Sequence, residues 1–574
     1  QALGPAAIGG ELQLSIPIEH ARDATVQGTV QLPAQGLGLR LRDDLPTFTQ
    51  LRGSASFSEQ GLQLRGLQGR FLGGELRVGG GTRPEDGTLY IEASGQASSE
   101  GLRAAAREWP ALGLLAPRLA GQADYRLRLA FKGAQPELEL RSTLQGMVSN
   151  WPAPLAKVGG EALPLLLRVQ PQEGSREVWG LSLGEGSAQV LEALLERDGL
   201  RTRRGAIRIG SAGVLPLPDS GVKLLWAAPQ IDLDPWRALL GGEPLAADAW
   251  LPDLIELQTP LLRVAQRRLT GLQAGLRLAA NRHDWRVQLR AEQLAGEAEW
   301  RQPPGQPPQL MARLQRLALP ESESQRVEQY LDQAQGALPM LDVQVEDFEL
   351  RGRKLGRLLL RADGAAAGRD WTLQQLSLEH PQASLTAKGQ WRAAEKRSQL
   401  EWQLAIADSG RWLDALGFAN VLRGGKGELR GVLGWAGSPL SPSSAGLDGQ
   451  FSIALDKGQF LKADPGVARL LGILSLQSLA RRLLFDWRDV FASGFAFDEL
   501  AGEVQIRAGV AQTRNLRMLG LQANVLMEGG ADLGAETTEL RVLVVPNLDA
   551  GGASLAYTAV NPAGENVYVW DFSG

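Results

Sequence analysis

The segment QLEWQLAI, residues 399–406, decides the fold class: Leu400, Trp402, Leu404 and Ile406 alternate with Gln399, Glu401, Gln403 and Ala405. Successive side chains of an extended strand point to opposite faces, so this spacing gives one apolar and one polar face. The same period of two recurs at Leu12–Ile18, Tyr125–Phe131, Trp285–Ala291 and Val504–Ala508. Such strands belong to antiparallel or mixed sheets with one wet side, not to doubly wound parallel sheets, whose strands are apolar on both faces. The reading is an all-β chain with a few short helices, about 30–40 strands of ~6–10 residues separated by Gly-bearing turns. Helical spacing interrupts it at Asp234–Leu240, Glu321–Leu331 and Arg411–Leu416. The longest such stretch is Asp464–Leu484, where Val467, Leu470, Leu471 and Leu474 form one apolar stripe after Asp464-Pro465.

Composition narrows the function classes. At 574 residues the chain exceeds what one globular core supports, so modules or a repeat array are expected. A net charge of −4 offers no basic excess to follow a phosphate backbone, so no nucleic-acid partner is expected. There is no cysteine, which removes disulfides, thiolate-held metals and thiol catalysis, and suits a compartment where stray thiols are oxidised. No run reaches the ~18 apolar residues of a membrane-spanning helix. The richest, Leu470–Leu484, is broken by Gln477, Arg481 and Arg482, so any membrane anchor is expected outside this chain. The three histidines, His20, His283 and His380, have no second ligand at metal-binding spacing. Gly424, Gly425 and Gly427 around Lys426 lack phosphate-loop spacing and read as a hairpin turn. No cofactor and no enzyme activity are expected.

An internal repeat points to stacked units. A strand from Trp285 is followed by one ending at Trp300, and a strand from Trp371 by one ending at Trp391. The offsets are 371 − 285 = 86 and 391 − 300 = 91 residues. Units that cannot bury their apolar faces alone stack on neighbours and give elongated rods. Segments 1–150, 151–302, 303–440 and 441–574 are the expected divisions, the last carrying the amphipathic helix 464–484. In a closed sandwich the apolar stripes would be a buried core; in an open curved sheet they would line a trough. Alternation alone does not choose between the two.

From Gly458 the chain reads GQFLKADPGVARLLGILSLQSLARRLLFDWRDVFASGFAFD. The spacing of Gly458, Phe460, Pro465, Arg469–Gly472, Arg481–Leu483, Asp489–Phe491 and Gly494–Asp498 resembles the C-terminal region of the YhdP family, in the AsmA-like superfamily with TamB. Weaker likenesses lie at Trp151–Leu165 and Gly53–Gly74. The ending GENVYVWDFSG does not align with that pattern; a truncation scar on a C-terminal fragment is one reading, and whether Gly564–Gly574 is native stays open. The resemblance implies an antiparallel and mixed sheet folded into a taco-like apolar groove. It would move phospholipids between inner and outer membranes through the periplasm, anchored to the inner membrane by a segment outside this chain and meeting the outer membrane at its far end. The groove lining is expected from Leu276, Leu278, Trp285, Val287, Leu289, Leu358, Leu360, Trp402, Leu404, Ile406, Val504 and Ile506. Two alternatives stand beside it: a TamB-like factor for outer-membrane protein assembly, and a β-solenoid enzyme or adhesin.

Overall fold

The computed structural model describes residues 9–15, 25–33, 36–40, 46–108, 112–113, 115–131, 136–199, 201–210, 213–240, 251–265, 267–320, 339–364, 370–392, 394–437, 446–461, 495–521, 523–535, 537–546, 559–560 and 566–573. It divides into two units, Gln1–Leu278 and Ala279–Gly574. Strands dominate both, as the alternation requires. The expected helices at Glu321–Leu331 and Asp464–Leu484 lie outside the described residues.

In the first unit, strands from Gly9–Ser15 to Arg201–Gly210 pair antiparallel with their chain neighbours. The short strands Leu37–Leu39 and Met147–Ser149 attach to Phe48–Ser58 and Leu119–Phe131. Arg201–Gly210 then runs parallel to Gly221–Ala227, which runs parallel to Leu254–Val264, and the hairpin partner Arg267–Leu278 ends the unit. A parallel neighbour needs a crossover of a dozen or more residues; the connection to Leu254 includes a helix, Asp234–Leu240.

The second unit repeats this plan. Trp285–Arg290, Leu294–Arg301 and Gln309–Leu319 are antiparallel, Met340–Leu350 joins parallel, and antiparallel neighbours then follow through to Thr537–Pro546. The hairpins Leu254–Val264/Arg267–Leu278 and Met340–Leu350/Arg353–Gly364 match at every boundary with the offset of 86 seen in the sequence, since 340 − 254 and 353 − 267 both equal 86. Their turn residues Ala265 and Arg351, also 86 apart, share a left-handed φ of 50° and 51°. The hairpin turn is thus part of the repeat.

The tail continues the sheet. Asn566–Ser573 is a strand, antiparallel to Thr537–Pro546, continuing the second unit's sheet. Gly424 and Gly425 are not a hairpin turn. They lie inside the strand Leu422–Ala436 with φ of 64° and 81°, a left-handed kink that only glycine adopts cheaply. The kink turns the Gly424 carbonyl to accept from Ser409 Oγ at 2.6 Å, docking a helix.

Among the described residues, three short α-helices sit between strands: α1 (Ser99–Ala105), α2 (Asp234–Leu240) and α3 (Ser409–Ala415). Caps at the N-termini of α1 and α3 satisfy donors the helix itself cannot. Ser98 Oγ accepts from Gly101 N–H at 3.1 Å, and Asp408 Oδ1 from Arg411 N–H at 3.0 Å.

Within the sheets, several glycines stand directly opposite a large side chain that covers them. Gly28 faces Phe57, Gly95 faces Tyr125, Gly205 faces Leu195 and Gly458 faces Phe497. A Cβ at Gly458 would lie 2.8 Å from Phe497 Cε1, and one at Gly95 2.6 Å from the Tyr125 hydroxyl. The bare backbone gives the ring a flat bed, which restores burial that the glycine lacks. Gly458→Val should therefore lift Phe497, only 3% exposed, and cost about 1–3 kcal/mol as overpacking. We expect a lower urea midpoint, and a double variant with Phe497→Ala less destabilised than the sum of the singles. Additive effects would show that the ring does not rest on the glycine.

Candidate functional site: the apolar face

Cross-strand partners point to the same side of a sheet, so register alone traces what each face presents. One row of the first unit runs Leu67, Val78, Ala93, Leu127, Leu140, Leu167, Leu181, Ala193, Ile207, Leu224, Ile255, Leu276, one residue per strand. A row of the second unit runs Val287, Ala298, Ala312, Val343, Leu360, Leu376, Ala387, Trp402, Gly431, Phe451, Val504. Neither row contains a polar side chain. The next row, Leu289, Gly296, Leu314, Val345, Leu358, Leu378, Leu385, Leu404, Leu429, Ile453, Gly502, is equally apolar. The three parallel pairings that the rows cross preserve them, as do the bulges, which add residues where straight alternation would slip to the wrong face.

The rows in between are polar. Gln288, Glu297, Arg313 and Gln344 face one another in turn, as do Thr386, Gln403, Arg430, Ser452 and Glu503. Ion pairs cross this face, Arg286 to Glu299 at 3.0 Å, Arg313 to Asp342 at 3.0 Å and Arg517 to Glu499 at 2.9 Å. Glu299 is held below the usual carboxylate range by hydrogen bonds from Arg301 and Arg286. A shallow depression over six strands is lined by Trp402, Phe451 and Val504 of the apolar row together with Lys388, Glu401 and Arg430 of the rows beside it. Among the described residues no cluster of His, Asp or Glu is placed to hold a metal ion.

The face shared by the apolar rows collects all of the residues picked out in the sequence. Val287, Leu360, Trp402 and Val504 occupy one row; Leu289, Leu358 and Leu404 the next; Trp285 and Ile506 belong to the row on the other side. Ile406 lies one row further along, opposite Ala383 and Gly427. Leu276 and Leu278 lie on the first unit's apolar face. Burial divides them. Leu358, Ile406 and Ile506 are buried, whereas Trp285, Val287, Leu289, Leu360, Trp402, Leu404 and Val504 are only half-buried. A sandwich core would bury the central rows most deeply. Here Leu385, Leu404, Leu429 and Ile453, mid-strand and adjacent, all retain partial exposure.

The sequence did not disclose what stands at the margin near Ile406. Helix α3 places Trp412 against His380, ring centroids 5.0 Å apart, and beside Ala383, Ile406 and Leu422. Met518, Val525 and Val544 continue the same margin and are nearly or fully buried. In the first unit, α2 sets Trp236 between Trp151 and Trp226 at 5.7 and 5.5 Å, its Nε1 donating to the Ala153 carbonyl at 3.1 Å. Beside Trp151, the buried Lys157 ammonium donates to the Met147 and Val158 carbonyls at 2.8 and 3.0 Å, and desolvation lowers its pKa.

Each unit therefore presents, among the described residues, a β-sheet that is apolar on one side and charged on the other. The chain belongs to the family described as YhdP protein, whose model matches residues 6–571 and so takes in the strand at the tail. It is similar to the intermembrane phospholipid transporter YhdP of Escherichia coli strain K12, 25% identical over 97% of this chain. The chain spans 44% of that curated relative's length. No solved structure matches.

His380 gives the α3 margin a pH dependence. Its Nδ1 accepts from the Gln382 N–H at 3.2 Å, and burial holds its pKa below the ordinary histidine range. The unfolded chain, titrating near pH 6.5, takes up the proton first. The stability this residue contributes is full above that value and lost as pH falls toward the lowered folded pKa. Thermal melting between pH 7.5 and 5 should show a drop that His380→Phe diminishes. An identical drop in the variant would place the effect elsewhere.

Proposed function

We propose that the apolar face of this chain carries phospholipid acyl chains between membranes of the cell envelope, as a stretch of a longer bridge. The observation that carries this reading is the unbroken apolar rows running from strand to strand across each unit, with a half-exposed stretch at Leu385, Leu404, Leu429 and Ile453 in the second. Each CH₂ left in water costs about 0.8 kcal/mol, which makes free diffusion of a two-chain lipid through the aqueous space prohibitive. A row of Leu, Val, Ala and Trp at every ~4.8 Å step offers the chain an equivalent contact at each position, so it slides without a deep well. Head groups remain in water. The relative's role as an intermembrane phospholipid transporter supports the same reading. Under it the sheets curve into a taco-like groove in the periplasm, the inner-membrane anchor and outer-membrane contact belong to other parts of the longer protein, and the chain is a carrier rather than an enzyme.

Leu404 tests this reading. It is half-buried, between Leu385 and Leu429 on neighbouring strands. Leu404→Asp should melt close to the unsubstituted chain, because the carboxylate stays solvated, yet lose bound lipid and transport, since an acyl chain passing a charge is penalised by several kcal/mol. Val345, 0% exposed, is the control. Val345→Asp buries an unpaired charge and should unfold the unit. If Leu404→Asp also unfolds, or folds and still carries lipid normally, the open-face reading is wrong.

A further inference from the structure

The second unit's apolar face differs at its two margins. At one, tryptophans occupy the last two rows. Trp285 stacks on Trp300 across the strand pair with centroids 6.4 Å apart, Trp371 faces Trp391, and Trp435 stands beyond Ser398 in the same row. Trp402 lies two rows further in. At the other margin the sheet rows hold Ile406, Leu455, Phe495, Met518 and Val525, with His380 in the Ile406 row opposite Ala383. The one tryptophan there among the described residues, Trp412, belongs to α3.

Two indoles, Trp391 in the marginal row and Trp402 two rows further in, carry a donor with no use inside the protein. The Nε1 of Trp391 and of Trp402 is covered by neighbouring groups and has no acceptor, whereas Trp371 Nε1 donates to the Pro339 carbonyl at 3.1 Å. An N–H held away from water without an acceptor is costly. Both rings are themselves half-exposed on the apolar face, so a rotation about χ2 turns each N–H toward whatever lies on that face. The indole, an apolar body with one polar edge, is the side chain that favours the boundary between hydrocarbon and head groups.

We infer that the tryptophan margin of the second unit seats the ester and head-group end of a bound glycerophospholipid, with the indole N–H groups of Trp391 and Trp402 donating to its ester carbonyls, while the acyl chains lie across the strands toward the Ile406–Met518–Val525 margin. The inference rests on the lipid-carrying reading above. Dimensions agree with it. From Ala383 to Trp391 the strand Ala383–Arg392 spans about 26 Å at ~3.3 Å per residue, against a hydrocarbon depth of roughly 15 Å for one leaflet. An extended chain is accommodated within one strand length, with its head outside the tryptophans.

The test uses the full chain incubated with phosphatidylethanolamine vesicles doped with one of two photoactivatable phosphatidylethanolamines. One bears a diazirine on the acyl chain next to the ester, the other at the chain's methyl end. After irradiation the labelled peptides are mapped by mass spectrometry. The ester-end probe should label peptides containing Trp371, Trp391 and Trp435, and the methyl-end probe those containing Ile406, Met518 and Val525. Equal labelling of both margins by both probes, or the reverse assignment, would overturn the orientation alone; no labelling of the apolar face by either would overturn the lipid reading beneath it. In a second arm, Trp391→Phe combined with Trp402→Phe keeps two rings and removes both donors. Occupancy by the ester lipid should fall about fivefold, and that by a diether analogue should not change. Unchanged ester-lipid occupancy would remove the hydrogen bonds from the account.

Discussion

The pleat of an extended chain sends alternate side chains to opposite faces, and the rest of this structure depends on keeping that alternation in phase across every hydrogen-bonded pair. A slip by one residue would put a charged row into the apolar face. The phase is held through antiparallel pairs, through the parallel pairings at Gly221–Ala227, Leu254–Val264 and Met340–Leu350, and through bulges such as that between Leu373 and Leu376. The result is the transverse row, a property of no single strand. Leu404 means little alone; between Leu385 and Leu429 it is one step of a continuous apolar path.

Among the described residues, the strands of each sheet are held together by contacts within the layer and at its margins. Three devices appear. Cross-strand ion pairs such as Arg286–Glu299 and Arg517–Glu499 sit on the polar side, where each contributes little and keeps that side wet. Aromatic rings lie over glycines on the neighbouring strand, as Phe497 does over Gly458 with Phe460 beside it. Short helices close strand ends, as α3 does with Trp412. Within the middle rows, Leu385, Leu404, Leu429 and Ile453 stay half-exposed while Leu314, Val345 and Leu358 are buried.

Much of this was legible in the sequence because strand alternation is local. QLEWQLAI and WRVQLR declare their apolar sides without knowledge of their neighbours, and all twelve residues chosen on that basis lie on the apolar faces. The 86-residue offset was visible because each unit begins and ends a strand pair on tryptophan, and the structure extends it to hairpin boundaries and turn conformation. Register was not legible. That Trp285 faces Trp300, or that Gly431 separates Trp402 from Phe451, follows from pairings that no local window contains. The glycines around Lys426 were misread as a turn because a left-handed kink inside a strand has the same composition as a hairpin. The last strand was missed because GENVYVWDFSG departs from the family spacing upstream of it, although VYVW itself carries strand-forming residues. Exposure was least legible, since a buried sandwich and an open trough share one pattern.

The central claim is that these rows are an open path for many acyl chains and not a closed core or a pocket for one. Mass spectrometry of an organic extract from the purified chain, quantified against protein, tests it most directly. The account predicts phospholipids of mixed acyl composition at more than one per chain, as equivalent steps along a path would hold. A chain free of lipid, or one molecule of a single species per chain, would contradict it.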